Sequence, residues 1–300
     1  MAAERTAPDA AWLRRDAERV AGALPPLLIE AERLASTLAL GVHGRRRAGM
    51  GETFWQYRAA YPGDSHGSID WRRSARSDRL YVREMEWEAA ETVMIWCDRS
   101  RAMDYRSPSV PRTKRARAEL LSLALGVLLR RGGERFGLVG TEAELPRTGE
   151  RQLHRMALLL SQEREAPPDY GAPPAFQMSR GGRAVFFSDF MGPREAVFPH
   201  LLEAAGQGIG GIFVQILDPA EAEFPFAGRT RFESMGRAIR HDTDQAGALR
   251  EAYLERLAER RDDLARTARR AGWQLLMHRT DESPRRALLA LHHRLGSRRG

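Results

Sequence analysis

Val93-Met94-Ile95-Trp96-Cys97-Asp98 is the stretch whose reading decides the fold. Five consecutive apolar side chains, without polar alternation and closing on an acid, describe a strand buried on both faces, as strands of a parallel sheet are. The design recurs twice: Ala184-Val185-Phe186-Phe187 runs into Ser188-Asp189, and Ile212 to Leu217 runs into Asp218-Pro219. A strand over Arg135 to Gly140 is also expected. Helical periodicities separate these runs. Lys114 to Arg130 places Ala116, Leu120, Leu123, Ala124, Val127 and Leu128 inward and stops at Gly132-Gly133. Further helices are expected over 150–162 and 194–206. Residues 222–242 then read as a hairpin excursion, Ala246 to Gly272 as a long amphipathic helix and Trp273 to Met277 as a last strand. Pro284 to Leu295 closes the chain as a helix with proline in its first turn.

Strand–helix alternation predicts an α/β domain over residues 91–300, doubly wound, with a mainly parallel sheet and helices on both faces. Three strands end on Asp98, Asp189 and Asp218, and the C-terminal strand edge is where open sheets of this kind bind ligands. Residues 1–90 read as a separate N-terminal segment packed on that domain. Leu13, Ala17, Val20 and Leu24 keep a helical spacing, Pro25-Pro26 breaks it, and Leu27 to Leu40 resumes it. Residues 41–90, rich in glycine and aromatics, read as short strands and ordered loop. Within them Tyr61-Pro62-Gly63-Asp64 has the chemistry of a type II turn.

Composition narrows the function classes. In 300 residues, 42% hydrophobic and 29% charged side chains exclude a disordered chain and a multi-span membrane protein. Leu120 to Leu129 is about half a membrane span, and Met1-Ala2-Ala3-Glu4-Arg5 opens no signal peptide. A cytoplasmic protein is expected. Cys97 is the only cysteine, which excludes an internal disulfide and a cysteine zinc cage. The net charge of +8 points toward an anionic partner, yet of 48 basic residues only Lys114 is lysine, the bias a GC-rich genome imposes whatever the function. The densest basic stretch, His43 to Arg83, holds nine arginines against four acids, among them Arg45, Arg46 and Arg47. A solvated face is the favoured reading, so nucleic acid is not the expected partner.

The loop after the first strand, Asp98-Arg99-Ser100-Arg101-Ala102, resembles the metal-ion-dependent adhesion motif of von Willebrand factor A domains, Asp-x-Ser-x-Ser. In those domains alternate oxygen side chains face one Mg²⁺, completed by a threonine from a later loop and an aspartate from another strand end. Asp189 matches that aspartate. Ala102 replaces the second serine, and residues 162–178 contain no serine or threonine. The motif is therefore degenerate, reduced to Asp98, Ser100 and Asp189. The expectation is no effective Mg²⁺ site and no cofactor, with Asp98 and Asp189 accepting backbone or arginine hydrogen bonds.

A second resemblance spans most of the chain. Gly49-Met50-Gly51-Glu52-Thr53-Phe54, Arg58, Tyr61-Pro62-Gly63-Asp64, Ile69-Asp70-Trp71-Arg72, Ala75-Arg76, Val82-Arg83-Glu84 and Glu88 follow in order before the Asp98 strand. This run resembles the bacterial family of domain of unknown function 58 (DUF58). The resemblance implies a von Willebrand factor A-like domain and action as an adaptor beside MoxR-type AAA+ ATPases, with no established catalysis. Read physically, Arg58, Arg72 and Arg76 with Asp64 and Asp70 describe an ion-pair lattice pinning the aromatic segment, Trp71 included, to the sheet. The same arginines are alternatively a partner or anion site.

Other motifs fail. Gly206-x-Gly208-x-Gly210-Gly211 follows a helix and precedes a strand, the reverse of a dinucleotide fingerprint. There is no phosphate loop, no His-Glu-x-x-His and no Gly-x-Ser-x-Gly. The function expected is a non-enzymatic interaction protein. Its alternatives are a metal-dependent hydrolase using the Asp98 and Asp189 strand tips, and nucleic-acid binding through 43–83.

Overall fold

The apolar runs form the expected strands. The computed structural model describes residues 25–38, 48–62, 64–76, 79–86, 90–163, 166–176, 178, 181–206, 208–237 and 239–296. The helix expected over 11–24, Arg45 to Arg47 and Gly63 lie outside the described residues. In chain order the first elements are α1 (Pro26–Ser36), β1 (Ala48–Ala59), α2 (Trp71–Ser74) and β2 (Tyr81–Glu86). Then come β3 (Thr92–Cys97), α3 (Lys114–Arg131), β4 (Arg135–Leu138), α4 (Glu150–Ser161), β5 (Arg183–Ser188), α5 (Arg194–Gly206), β6 (Gly210–Leu217) and α6 (Pro219–Glu223). The chain ends with β7 (Thr230–Glu233), β8 (Arg240–Thr243), α7 (Arg250–Arg270), β9 (Gln274–Arg279) and α8 (Pro284–Gly296).

Two compact units emerge. The smaller spans 41–91; the larger combines α1 with residues 92–300. The sequence reading groups 1–90 together, whereas α1 falls in the larger unit. The cause is its apolar face: Leu28, Ala31 and Ala35 are buried in the main core, which α3 shares.

In the larger unit five strands pair in the order β4-β3-β5-β6-β9, every pair parallel. The chain steps from β3 outward to β4, then returns to place β5, β6 and β9 on the other side. Strand order therefore reverses between β3 and β5, the position where such sheets open a crevice at their C-terminal ends. Alternate side chains feed two cores. Val93, Ile95, Val185, Phe187, Ile212 and Val214 meet α1, α3, α4 and α8 on one face. Met94, Trp96, Phe186 and Phe213 meet α5 and α7 on the other, with Trp96 and Trp273 edge-on to Phe186 at 5.7 and 5.2 Å. Gly211 is required there, because the Trp273 ring lies where a Cβ would project.

In the smaller unit β1 pairs antiparallel with β2. At 12 residues β1 is longer than the short strands expected; register shifts at Gly49/Phe54 and Phe54/Gln56 let it bend while keeping its partner. The expected excursion is the antiparallel hairpin β7–β8, and the helix expected from Ala246 opens as a 3₁₀ turn before α7.

Candidate functional site

Three neighbouring strand tips carry the same device. A strand leaving the sheet exposes backbone N–H groups that need acceptors, and an aspartate can supply one by bonding two residues ahead. Asp98 Oδ1 accepts from Ser100 N at 2.9 Å, Asp189 Oδ1 from Met191 N at 2.9 Å, and Asp218 Oδ1 from Ala220 N at 2.8 Å. The second oxygens differ. Asp98 Oδ2 accepts from Ser188 Oγ at 2.6 Å, Asp189 Oδ2 from Lys114 Nζ at 2.8 Å, and Asp218 Oδ2 from Ser107 N at 2.8 Å. All three residues are buried.

Lys114 is the group that sequence reasoning missed. It opens α3, whose N-cap Thr113 accepts from Ala116 N at 3.1 Å, and its side chain is 1% exposed. Its ammonium also reaches Glu221 Oε1 at 2.6 Å, while Glu221 Oε2 accepts from Asp218 N at 2.9 Å in the capping box of α6. One cation thus ties the β5 tip to the β6 tip. Burial alone would push the Lys114 ammonium down, but Asp189 and Glu221 outweigh it and hold its pKa well above the ordinary lysine value. Burial first, and the charge of Asp189 second, push the Asp98 carboxyl above the usual carboxylate range. The signal available in sequence was the solitary lysine itself.

The sequence reading brought Asp98, Ser100 and Asp189 together, and they do meet. Of the backbone or arginine partners expected for Asp98 and Asp189, backbone N–H groups are found, joined by serine and lysine rather than arginine. Ser100 Oγ is buried beside Asp98 without a well-formed hydrogen bond among the described residues. Asp104, three residues beyond Arg101, pairs with Arg115 Nε at 2.8 Å.

A Mg²⁺ ion does not fit this arrangement. Such an ion needs oxygens converging on open space it can share with water. Here the backbone of Gly171 lies directly on the Asp98 carboxylate, where a Cβ would collide with both oxygens. That loop is stapled down by Arg101 N to Pro168 O and Ala102 N to Asp169 O, both 2.9 Å. In the space between Asp189 and Glu221 stands the Lys114 ammonium. Among the described residues no group of three or more His, Cys, Asp or Glu is arranged to hold a metal. Beside the strand tips an open cleft of about 480 Å³ is lined by Tyr170, Gly192, Arg194, Arg256, Arg260 and Asp263.

The signature residues of the smaller unit form part of the expected lattice. Arg58 grips Asp64 with two 2.7 Å bonds, and Tyr61 N adds a third to the same carboxylate. The Arg58 bond, with the Tyr61 N–H next, lowers the Asp64 pKa to about 2. Asp70 is used differently: it caps α2 by accepting from Arg73 N at 2.9 Å and takes the Tyr57 hydroxyl at 3.2 Å. The arginine that packs on the aromatics is Arg73, over the Tyr57 ring at 4.4 Å and the Tyr81 ring at 5.2 Å. Trp71, Arg72 and Arg76 are exposed, and the bonds described for Asp64 and Asp70 come from Arg58, Tyr61, Arg73 N and Tyr57 rather than from the Arg72 and Arg76 that the sequence suggests. A four-residue helix leaves its outward positions in solvent.

This is a parallel α/β protein whose strand-tip acids are engaged in holding their own loops. The chain belongs to the family described as "Protein of unknown function DUF58", whose model matches residues 56–263. The uncharacterized protein Rv1480 of Mycobacterium tuberculosis is 27% identical over 278 residues, covering 89% of this chain and 86% of its own length. The uncharacterized protein MAV169 of Mycobacterium avium is 31% identical over 102 residues, 34% of this chain and 59% of its own. Among solved structures, the conserved hypothetical protein BatB of Bacteroides thetaiotaomicron is similar with a TM-score of 0.39 and 13% identity, covering 69% of this chain and 100% of its own. An aerotolerance-related membrane protein of Bacteroides fragilis gives 0.40 and 15%, covering 69% and 99%. In this chain, no helix among the described residues is long and apolar enough to cross a membrane.

Proposed function

We propose that the protein is a non-enzymatic interaction partner, a von Willebrand factor A-like adaptor that works with a MoxR-type AAA+ ATPase. The observation that carries the reading is the use of the strand tips. Six carboxylate oxygens of Asp98, Asp189 and Asp218 hold the protein's own loops and Lys114, so none of these three acids is free to act as the base that activates a nucleophile. Asp98 at the end of β3, at the reversal of strand order, supports the von Willebrand-like assignment. The hydrolase alternative has less support, because its two named carboxylates are these same engaged groups. The partner surface would be the strand-tip face with its arginine-lined cleft.

Affinity purification of the full chain from its native cells tests the reading. Recovery of an AAA+ ATPase, and binding of the purified pair at micromolar concentration, is the expected outcome. Absence of both would end it. A panel of phosphatase and esterase substrates with Mg²⁺ or Mn²⁺ should give no activity that Asp98→Ala removes.

A further inference from the structure

Resting on the von Willebrand-like reading above, we propose that the Lys114 ammonium is a resident cation at the strand tips, holding the Asp189 carboxylate that a von Willebrand-type domain would turn toward an exchangeable divalent ion, so that this face engages its partners without a metal bridge. The placement is costly, which is what gives it meaning. A lysine at the first turn of a helix sits at the positive end of the helix dipole, and Lys114 is also 1% exposed. Elsewhere the chain uses arginine for every basic position. A planar, forked guanidinium does not replace a compact ammonium with three tetrahedral donors. Here two donors meet carboxylates from different loops at 2.8 and 2.6 Å, and the Tyr105 ring lies 5.9 Å away. Through Glu221 the same cation reaches the backbone of Asp218. A divalent ion would supply this bridging of strand-tip loops; the lysine supplies it from within the chain and cannot dissociate.

The assignment is independent of which partner the protein binds, and its test does not involve one. Because Lys114 is the only lysine, ¹⁵N-lysine labelling of the full chain yields a single Nζ signal, and amine acetylation followed by peptide mass spectrometry reads one side chain. In the native protein Lys114 should be acetylated at least about a hundredfold more slowly than in urea, since reaction needs local opening. About 10 mM Mg²⁺ should leave the Nζ signal unmoved, sub-stoichiometric Mn²⁺ should not broaden it, and neither ion should raise Tm. Lys114→Met should lower Tm by roughly 5 °C or more, with no recovery in Mg²⁺. Rapid acetylation of the native chain, a metal-dependent shift of the Nζ signal, or a Mg²⁺ stabilisation of the wild type that Asp98→Asn abolishes would overturn it. If Lys114→Met fails to fold, the wild-type measurements decide alone.

Discussion

Arg117 donates to Nε2 of the buried His278 at 2.9 Å, which makes that nitrogen the acceptor and leaves the proton on Nδ1, facing Glu282 Oε2 at 3.5 Å. The same guanidinium donates to the carbonyls of Thr280 and Glu282, so α3 is tied to the turn after β9. Burial, with Arg117 second, pushes the His278 pKa down to about 4.

The sign of the pH dependence follows. The unfolded chain takes up this proton near the ordinary histidine value and the folded chain does not until about pH 4. Stability is therefore full above about 6.5 and is lost as pH falls toward 4, by on the order of 3 kcal/mol. Urea unfolding from pH 7 to 4 should show this loss in the wild type and a shallower one in His278→Gln, which accepts from Arg117 without titrating. Parallel profiles would refute the assignment.

The two carboxylates on Lys114 should rank by burial. The Asp189 side chain is 4% exposed and that of Glu221 22%. Asp189→Asn should cost about 3–5 kcal/mol, the range for breaking a buried pair, and Glu221→Gln about 1–3 kcal/mol as a lost acceptor. Equilibrium unfolding of both variants checks the order.

Gly171 tolerates no side chain. A methyl there lands in the Asp98 carboxylate, which Ser100 N and Ser188 Oγ hold in place. Gly171→Ala should destabilise by about 1–3 kcal/mol, the usual range for overpacking, and should speed hydrogen exchange at Arg101 and Ala102, whose N–H groups bond that loop. Normal protection at both amides would show that the loop yields without lifting.

In the smaller unit, NMR titration should find the Asp64 carboxyl titrating near 2 and returning to the usual range in Arg58→Met. A depressed carboxylate adds stability above its unfolded value, lost as pH falls through the folded one. The smaller unit should thus be more acid-sensitive in the wild type than in Arg58→Met between pH 4 and about 2. An unchanged Asp64 titration would mean that the bidentate pair does not persist in solution.

Element by element, the larger unit was legible because it obeys local rules. Lys114 to Arg130 was expected as a helix and ends at Arg131; Pro284 to Leu295 was expected and ends at Gly296. The signature segment was harder. Charge spacing suggests pairs for Asp64 and Asp70 alike, but spacing does not say that one of these carboxylates also caps a helix. Asp70 took the cap of α2 and Asp64 took Arg58.

The sequence by itself determined the layered parallel sheet and the acids at its strand tips, since burial on both faces demands unbroken apolar runs and a strand's end demands polar caps. Asp98 and Asp189 follow from the strand ends, whereas Ser100 entered only through the resemblance to the adhesion motif. Only the tertiary structure decided what pairs with Asp189. Lys114 stands 75 residues from Asp189 and 107 from Glu221, separations no periodicity links. Crossovers on both sides of the sheet deliver the three to one point, and there low polarity forces a choice between a metal and an internal cation that no local pattern records.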